Sequence, residues 1–144
     1  MKSKNIKYIK WLSAEDMHDA SKQWISELTF IIDEHLFFED LIKKYTLQLL
    51  DKSLFVDIKI TKGALQESKK RCKTLLLAVK THENDLEIIV DGIDQAEEEK
   101  AYKDNHRVLV NIMSPFFVDY QKLKTELFSI IKKVLKKQKQ QRLL

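Results

Sequence analysis

The chain has 144 residues, a formal net charge of +4 and 33% charged residues. A chain of this length can bury a core without a metal or a disulfide, and so small a net charge does not by itself indicate a nucleic-acid-binding protein. Glycine occurs twice and proline once, so we expect few turns and long regular elements. These features predict one all-α domain spanning residues 1–144.

The first segment, residues 1–12, is basic and is interrupted by Lys7 and Lys10. It lacks the continuous apolar core of a secretory signal, and no apolar run approaches the 18 residues of a membrane span. Cys72 is the single cysteine, which excludes an internal disulfide and suits a reducing compartment. We therefore expect a cytoplasmic protein in which residues 1–12 pack on the domain.

The first helix is predicted from residue 14 to about residue 51. Ser13 is a favourable N-cap, and Asp16 lies in the first turn near the positive end of the helix dipole. Apolar steps of three and four form a heptad seam: Met17, Ser21, Trp24, Leu28, Ile31, His35, Phe38, Ile42, Tyr45 and Leu49. Further apolar residues lie beside the seam, including Phe30 and Phe37. So wide an apolar arc needs neighbours on several sides, which predicts a homodimer with this helix in its interface.

The second helix is predicted after a partly buried connection over residues 51–61, since "KSLFVDIKITKG" is rich in β-branched and aromatic residues. Thr61 is the expected N-cap. The seam continues through Leu65, Ser68, Cys72, Leu75, Val79, His82, Leu86, Ile89 and Ile93. Gly92 then suits the end of this helix, and Asp94 suits the N-cap of the next.

The third seam passes through Pro115 without a change of phase: Glu99, Tyr102, His106, Leu109, Met113, Phe116, Tyr120, Leu123, Leu127, Ile130 and Val134. Proline in a helix interior costs about 3 kcal/mol, so a new helix beginning at Pro115 with Ser114 as its N-cap is the alternative. The predicted fold is an antiparallel up-down bundle of three long helices with coiled-coil-like heptad seams, or of four helices if the third breaks at Pro115.

Three of the four histidines, His35, His82 and His106, lie on the seams. His82 and His106 are about equally far from the Gly92–Asp94 turn, so they should lie level. Counting from a 51–61 connection places the stretch from Glu27 to Glu34 opposite them and His35 about one turn away, with Glu39 four residues beyond His35. Three interpretations follow: a buried polar layer that fixes the helix register, a proton-handling site, or a metal site of the six residues His35, His82, His106, Glu27, Glu34 and Glu39.

In outline such a His/Glu cluster between helices resembles hemerythrin-like and ferritin-like bundles, and the His35-x-x-x-Glu39 spacing is similar to theirs. That resemblance implies iron, manganese or zinc as the cofactor. The chain lacks the histidine pairs four residues apart that hemerythrin-like sites use. The polar-layer interpretation implies no cofactor.

Charge is predicted to be uneven along the bundle. Acidic residues concentrate near the turn between the second and third helices. Basic residues concentrate in "KKRCK" (69–73), in Lys43, Lys44 and Lys52, and in the basic C-terminal tail, residues 136–144. One interpretation is solvated helix faces whose charges match the helix dipoles, which does not account for "KKRCK" in the early part of a helix. The other is a basic end that docks on nucleic acid, anionic lipid or an acidic partner.

Sequence motifs of catalysis are not evident. The chain has no Gly-rich phosphate loop, nucleophile elbow or CxxC, and Cys72 on the seam suggests an inert buried thiol. We expect a non-catalytic bundle that acts through protein–protein interaction as a homo-oligomer. The alternatives are the metal-binding bundle and an adaptor docking through its basic end.

Overall fold

The computed structural model describes the backbone of residues 13–46, 52–91 and 96–143, and the side chains of 13–46, 52–86 and 97–140. Three helices make up the described chain: α1, Ala14–Thr46; α2, Lys52–Asp91; and α3, Ala96–Leu143. α2 packs against both α1 and α3, whereas α1 and α3 meet at few places. The predicted all-α up-down bundle of three long helices is confirmed.

The start of α1 follows from its capping residues. Asp16 N–H donates to Ser13 Oγ at 3.1 Å, and Ser13 N–H donates to Asp16 Oδ2 at 3.4 Å. This reciprocal capping box satisfies two backbone donors that the first helical turn leaves free. The predicted segment 1–12 lies outside the described residues, as do Gly92 and Asp94 of the second turn.

The predicted 51–61 connection is wrong, whereas the predicted end of the first helix near residue 51 lies outside the described residues. α1 ends at Thr46, and α2 already begins at Lys52. Leu54, Ile58, Thr61 and Leu65 follow steps of four, three and four, and all are buried. Burial of this face outweighs the weak helix propensity of the β-branched residues. Thr61 is not a cap, because its Oγ1 donates to the carbonyl of Asp57 inside the helix at 2.8 Å.

α3 is a single helix through Pro115. Met113 and Phe116, on either side of the proline, are each 1% exposed. Full burial of such side chains stabilises by about 1.5–3 kcal/mol each, enough to offset the cost of about 3 kcal/mol for an interior proline. The break that would give four helices is therefore absent from this stretch, and residues 136–143 form the last turns of α3.

The core consists almost wholly of seam residues. Among side chains predicted on the seams and described, most are buried, while Trp24, Tyr45, Ser68 and Ile130 are half-buried and Glu99 is exposed. "KKRCK" does not lie at the basic end, because α2 begins at Lys52 and places residues 69–73 near its middle. Among the described helices, none is both long and apolar enough to cross a membrane.

Candidate functional site

The buried polar residues form two layers at different heights in the bundle. The lower layer joins His82 of α2 to His106 of α3, with 3.0 Å between His82 Nε2 and His106 Nδ1. The upper layer joins His35 of α1 to Ser68 of α2, with 2.9 Å between His35 Nε2 and Ser68 Oγ. The predicted cluster of three histidines is therefore divided into a pair and a single residue.

The lower layer is closed by aromatic rings. The His82 ring stacks on Tyr102 with centroids 3.9 Å apart and planes 4° from parallel. The His106 ring stacks on Trp24 of α1 at 5.0 Å. His82 is 0% exposed and His106 is 1% exposed, so neither imidazole is accessible to solvent or to a substrate.

Hydrogen bonding assigns the tautomer of each ring in the lower layer. The Asn105 amide Nδ2, which can only donate, lies 3.1 Å from His82 Nδ1. His82 therefore accepts at Nδ1 and donates its Nε2–H to His106 Nδ1, and neutral His106 carries its proton on Nε2. Burial lowers the pKa of His82 to about 4, with the neighbouring His106 adding to the shift, and burial lowers the pKa of His106 to about 4. Both rings are thus neutral at pH 7.

Two further groups approach this layer from its sides. His18 Nδ1 of α1 contacts Glu83 Oε1 of α2, a partner that the sequence did not indicate because His18 lies off the seam. Burial raises the pKa of the Tyr102 hydroxyl to about 12; nearby Glu83 and Asp85 add to the rise, and the Ser21 hydroxyl opposes it. The layer therefore combines neutral buried histidines with a His18–Glu83 contact at its edge.

Two acids of the predicted metal site, Glu34 and Glu39, lie near the upper layer, and the third, Glu27, lies lower on α1. Each of the three already has a partner. Glu34 accepts from Tyr120 Oη at 3.0 Å and pairs with Lys124 at 3.0 Å. Glu39 pairs with Lys69 at 3.0 Å. Lower on α1, Glu27 accepts from Gln23 at 2.9 Å.

His35 itself is wholly buried in the upper layer and meets the edge of the Tyr120 ring at 5.3 Å. Burial lowers its pKa, and the nearby cations Lys69 and Lys73 act in the same direction against Glu39 and Glu34. This environment favours a neutral His35 imidazole between Ser68 and Tyr120.

The six residues of the predicted metal site do not come together. Among the described side chains, no group of three or more His, Cys, Asp or Glu is arranged to hold a metal ion. The physical reason is the register of α1 against α2. Because α2 begins at Lys52 rather than after residue 61, His35 lies level with Ser68. His82 lies fourteen residues further along α2, about 21 Å below that level. The prediction that His82 faces the stretch from Glu27 to His35 is therefore wrong, whereas the pairing of His82 with His106 is confirmed.

Comparison of the chain with protein-family models, with curated proteins and with solved structures gives no match.

Outside these layers, two surfaces carry unusual side chains. The first, here called the α1–α3 face, comprises Phe30 and Phe37 of α1 with Phe117, Phe128 and Leu135 of α3. Phe30 and Phe117 line the same groove between the two helices. Phe37 and Phe128 are linked through Phe38, with ring centroids 5.7 and 5.5 Å apart.

The second surface, here called the α1–α2 groove, lies between the last turns of α1 and the first half of α2 and has a volume of about 800 Å³. Its floor contains Ile42, Phe55 and Ile58, and lysines dominate its α2 side. Three residues of "KKRCK" line it: Lys69, Lys70 and Lys73. The basic segment that the sequence predicts at the end of the bundle therefore lies along this groove.

Proposed function

We propose that this protein is a non-catalytic interaction module that forms a homodimer through the α1–α3 face. The observation that supports the proposal is a set of large, exposed apolar side chains that lie together on this face. Phe30 is 62% exposed, Phe37 is 56% exposed, and Phe128 and Leu135 are each 45% exposed. Contiguous exposed apolar surface of this kind marks protein interaction sites.

Helical spacing makes these side chains a continuous surface. Phe30 and Phe37 are seven residues apart on α1, and Phe128 and Leu135 are seven apart on α3, so each pair lies on one side of its helix. The two helices contact each other little, which leaves the face unfilled between them. Homodimer interfaces are more apolar than other protein surfaces. The α1–α3 face, which consists of phenylalanine and leucine side chains, has the composition of such an interface.

A two-fold dimer would use each of these residues twice. Burying a phenylalanine side chain fully is worth about 1.5–3 kcal/mol, so a single substitution in the face should cost the dimer about twice the effect at one site. The enclosed histidines support the non-catalytic part of the proposal, because their rings have no exposed surface at which a substrate could react. The single, buried cysteine supports placement in a reducing compartment such as the cytoplasm.

Sedimentation velocity at micromolar concentrations tests the dimer. We expect the wild-type protein to sediment at about twice its chain mass of 17.1 kDa. Phe37→Ser should shift the distribution to monomer. Leu77→Ser is the matched control, because Leu77 is 68% exposed but lies on α2, away from the face.

A monomer at the highest soluble concentration would contradict the proposal. Equal loss of dimer in Leu77→Ser would place the interface elsewhere. Circular dichroism of each variant verifies that the helices remain intact, as expected for substitutions at exposed positions.

A further inference from the structure

The α1–α2 groove has an excess of uncompensated positive charge. Lys43, Lys59, Lys62 and Lys73 line it, and none has a carboxylate within 4.0 Å among the described residues. Lys69 is already paired with Glu39. Like charges held close together repel unless a ligand neutralises them, so this groove favours an anionic occupant.

The lysines of the α2 side form a regular row. Positions 59, 62, 69 and 73 are separated by three, seven and four residues, which places them on one side of the helix. The row extends over about 21 Å at 1.5 Å per residue. Lys59 also lies over the Phe55 ring, with its Nζ 5.9 Å from the centroid, so the row borders the apolar floor directly.

The α1 side of the groove differs in charge. It presents Glu39 and Asp40 beside Lys43. A ligand that is negative on all sides, such as a nucleic-acid strand, would meet repulsion there. A ligand that is acidic on one side only, with an apolar middle, would place its acids against α2 and its apolar residues on Phe55, which is 42% exposed and lies beside the buried Ile42 and Ile58.

We propose that the α1–α2 groove binds an amphipathic helix of a partner protein whose acidic residues line the flank that faces α2. Helices bind apolar grooves through anchors at positions i, i+3, i+4 and i+7, and charges flanking such a helical seam determine partner choice and orientation. The heptad-like spacing of Lys62, Lys69 and Lys73 matches the spacing at which a partner helix would repeat glutamates.

This site is separate from the α1–α3 face. Glu39 and Lys43 border the groove on one side of α1, whereas Phe30 and Phe37 belong to the other. The two surfaces can therefore be occupied together, and the partner helix does not depend on the dimer.

Fluorescence anisotropy with the full-length protein tests the proposal. The probe is a labelled helical peptide of three heptads, with leucine on its seam and glutamate along one flank. The control peptide has lysine in place of each glutamate. We expect the glutamate peptide to bind with an affinity that falls as salt rises, and the lysine peptide to bind at least tenfold more weakly.

Charge-reversal variants locate the binding. Lys62→Glu with Lys73→Glu should weaken the glutamate peptide at least tenfold. Lys132→Glu with Lys136→Glu removes the same charge from exposed positions near the end of α3 and should leave binding unchanged. Both pairs are exposed, so both variants should fold.

Four outcomes would overturn the proposal. The first is no binding of the glutamate peptide, and the second is an equal effect of both charge-reversal pairs. The third is tighter binding of a thymidine 20-mer or of phosphatidylserine vesicles that is lost in the Lys62/Lys73 variant. The fourth is loss of peptide binding in Phe37→Ser with retention in the Lys62/Lys73 variant, which would move the peptide to the α1–α3 face.

Discussion

His82 and His106 share one hydrogen bond of 3.0 Å in the bundle interior, the first donating from Nε2 and the second accepting at Nδ1. Each ring is the other's buried polar partner, and both are covered by aromatic rings. A buried donor or acceptor that loses its partner keeps its desolvation cost. The loss of unfolding free energy on replacing both histidines should therefore differ from the sum of the losses on replacing each one alone.

A double-mutant cycle measures this coupling. His82→Leu should lower the free energy of unfolding by about 1–3 kcal/mol, because it leaves His106 Nδ1 buried without a donor. His106→Leu should cost a similar amount. The double variant should cost about 1–2 kcal/mol less than the sum of the single variants, measured by urea unfolding at pH 7. Strictly additive effects would show that the hydrogen bond contributes no coupling.

Acid should destabilise the protein through the same pair. A histidine has a pKa near 6.5 in the unfolded chain, while the folded values for both rings are lowered to about 4. Between pH 6.5 and pH 4 the unfolded state binds protons that the folded state does not, so stability falls as pH falls. Above pH 6.5 both states are neutral at these rings and the effect is absent.

The expected loss is on the order of 3 kcal/mol per ring at pH 4. Urea unfolding from pH 7 to pH 4 should show this slope in the wild type. The double variant of His82 and His106 to leucine should retain only the slope that other titrating groups contribute. Parallel slopes in the two proteins would contradict the assignment to these histidines.

Gly63 offers a stabilising substitution. It lies inside α2, and a Cβ built on it meets nothing within 4 Å. Gly63→Ala should raise the free energy of unfolding by about 1 kcal/mol, because alanine loses less backbone entropy in a helix. Ala64→Gly, at the exposed neighbouring position, should lower it by a similar amount. Thermal unfolding of both variants measures the pair, and a fall in Tm for Gly63→Ala would show that residue 63 is not helical in solution.

The Cys72 thiol should be unreactive in the folded protein. It is 0% exposed, its Sγ lies 3.5 Å from the carbonyl oxygen of Leu28, and burial raises its pKa to about 11. Because the thiolate is the reactive form, an aromatic disulfide reagent should modify Cys72 only after unfolding. Lys70→Cys, at an exposed position two residues away, should react at once in the folded protein and serves as the positive control.

The heights of the buried histidines show what could be predicted from the sequence. His82 and His106 are both counted from the short turn at Gly92, whose composition marks it clearly, and their pairing is correct. The predicted height of His35 depends on residues 51–61, where β-branched side chains make the helical period hard to recognise. That period is present in Leu54, Ile58, Thr61 and Leu65, but these side chains become buried only when α1 and α3 are in place. Tertiary packing decides such a segment, and local propensity does not.

The acids of the predicted metal site show a second limit. Glu34 and Glu39 have the right spacing around His35, but their partners Tyr120, Lys124 and Lys69 are distant in sequence. One helix alone does not indicate which of its acids are already neutralised. The same holds for the α1–α2 groove, which combines residues from two helices.

The central position of α2 has a consequence for how the chain folds. α2 contacts both neighbours along the sequence, and α1 meets α3 at few places. The molecule can therefore form as two overlapping helical hairpins that share α2, each closed by a short connection at a small entropic cost. Such local topologies fold in microseconds to milliseconds. Once the α2–α3 hairpin exists, its buried imidazole pair already has both members, and α1 then adds the covering ring of Trp24 and the contact of His18 with Glu83.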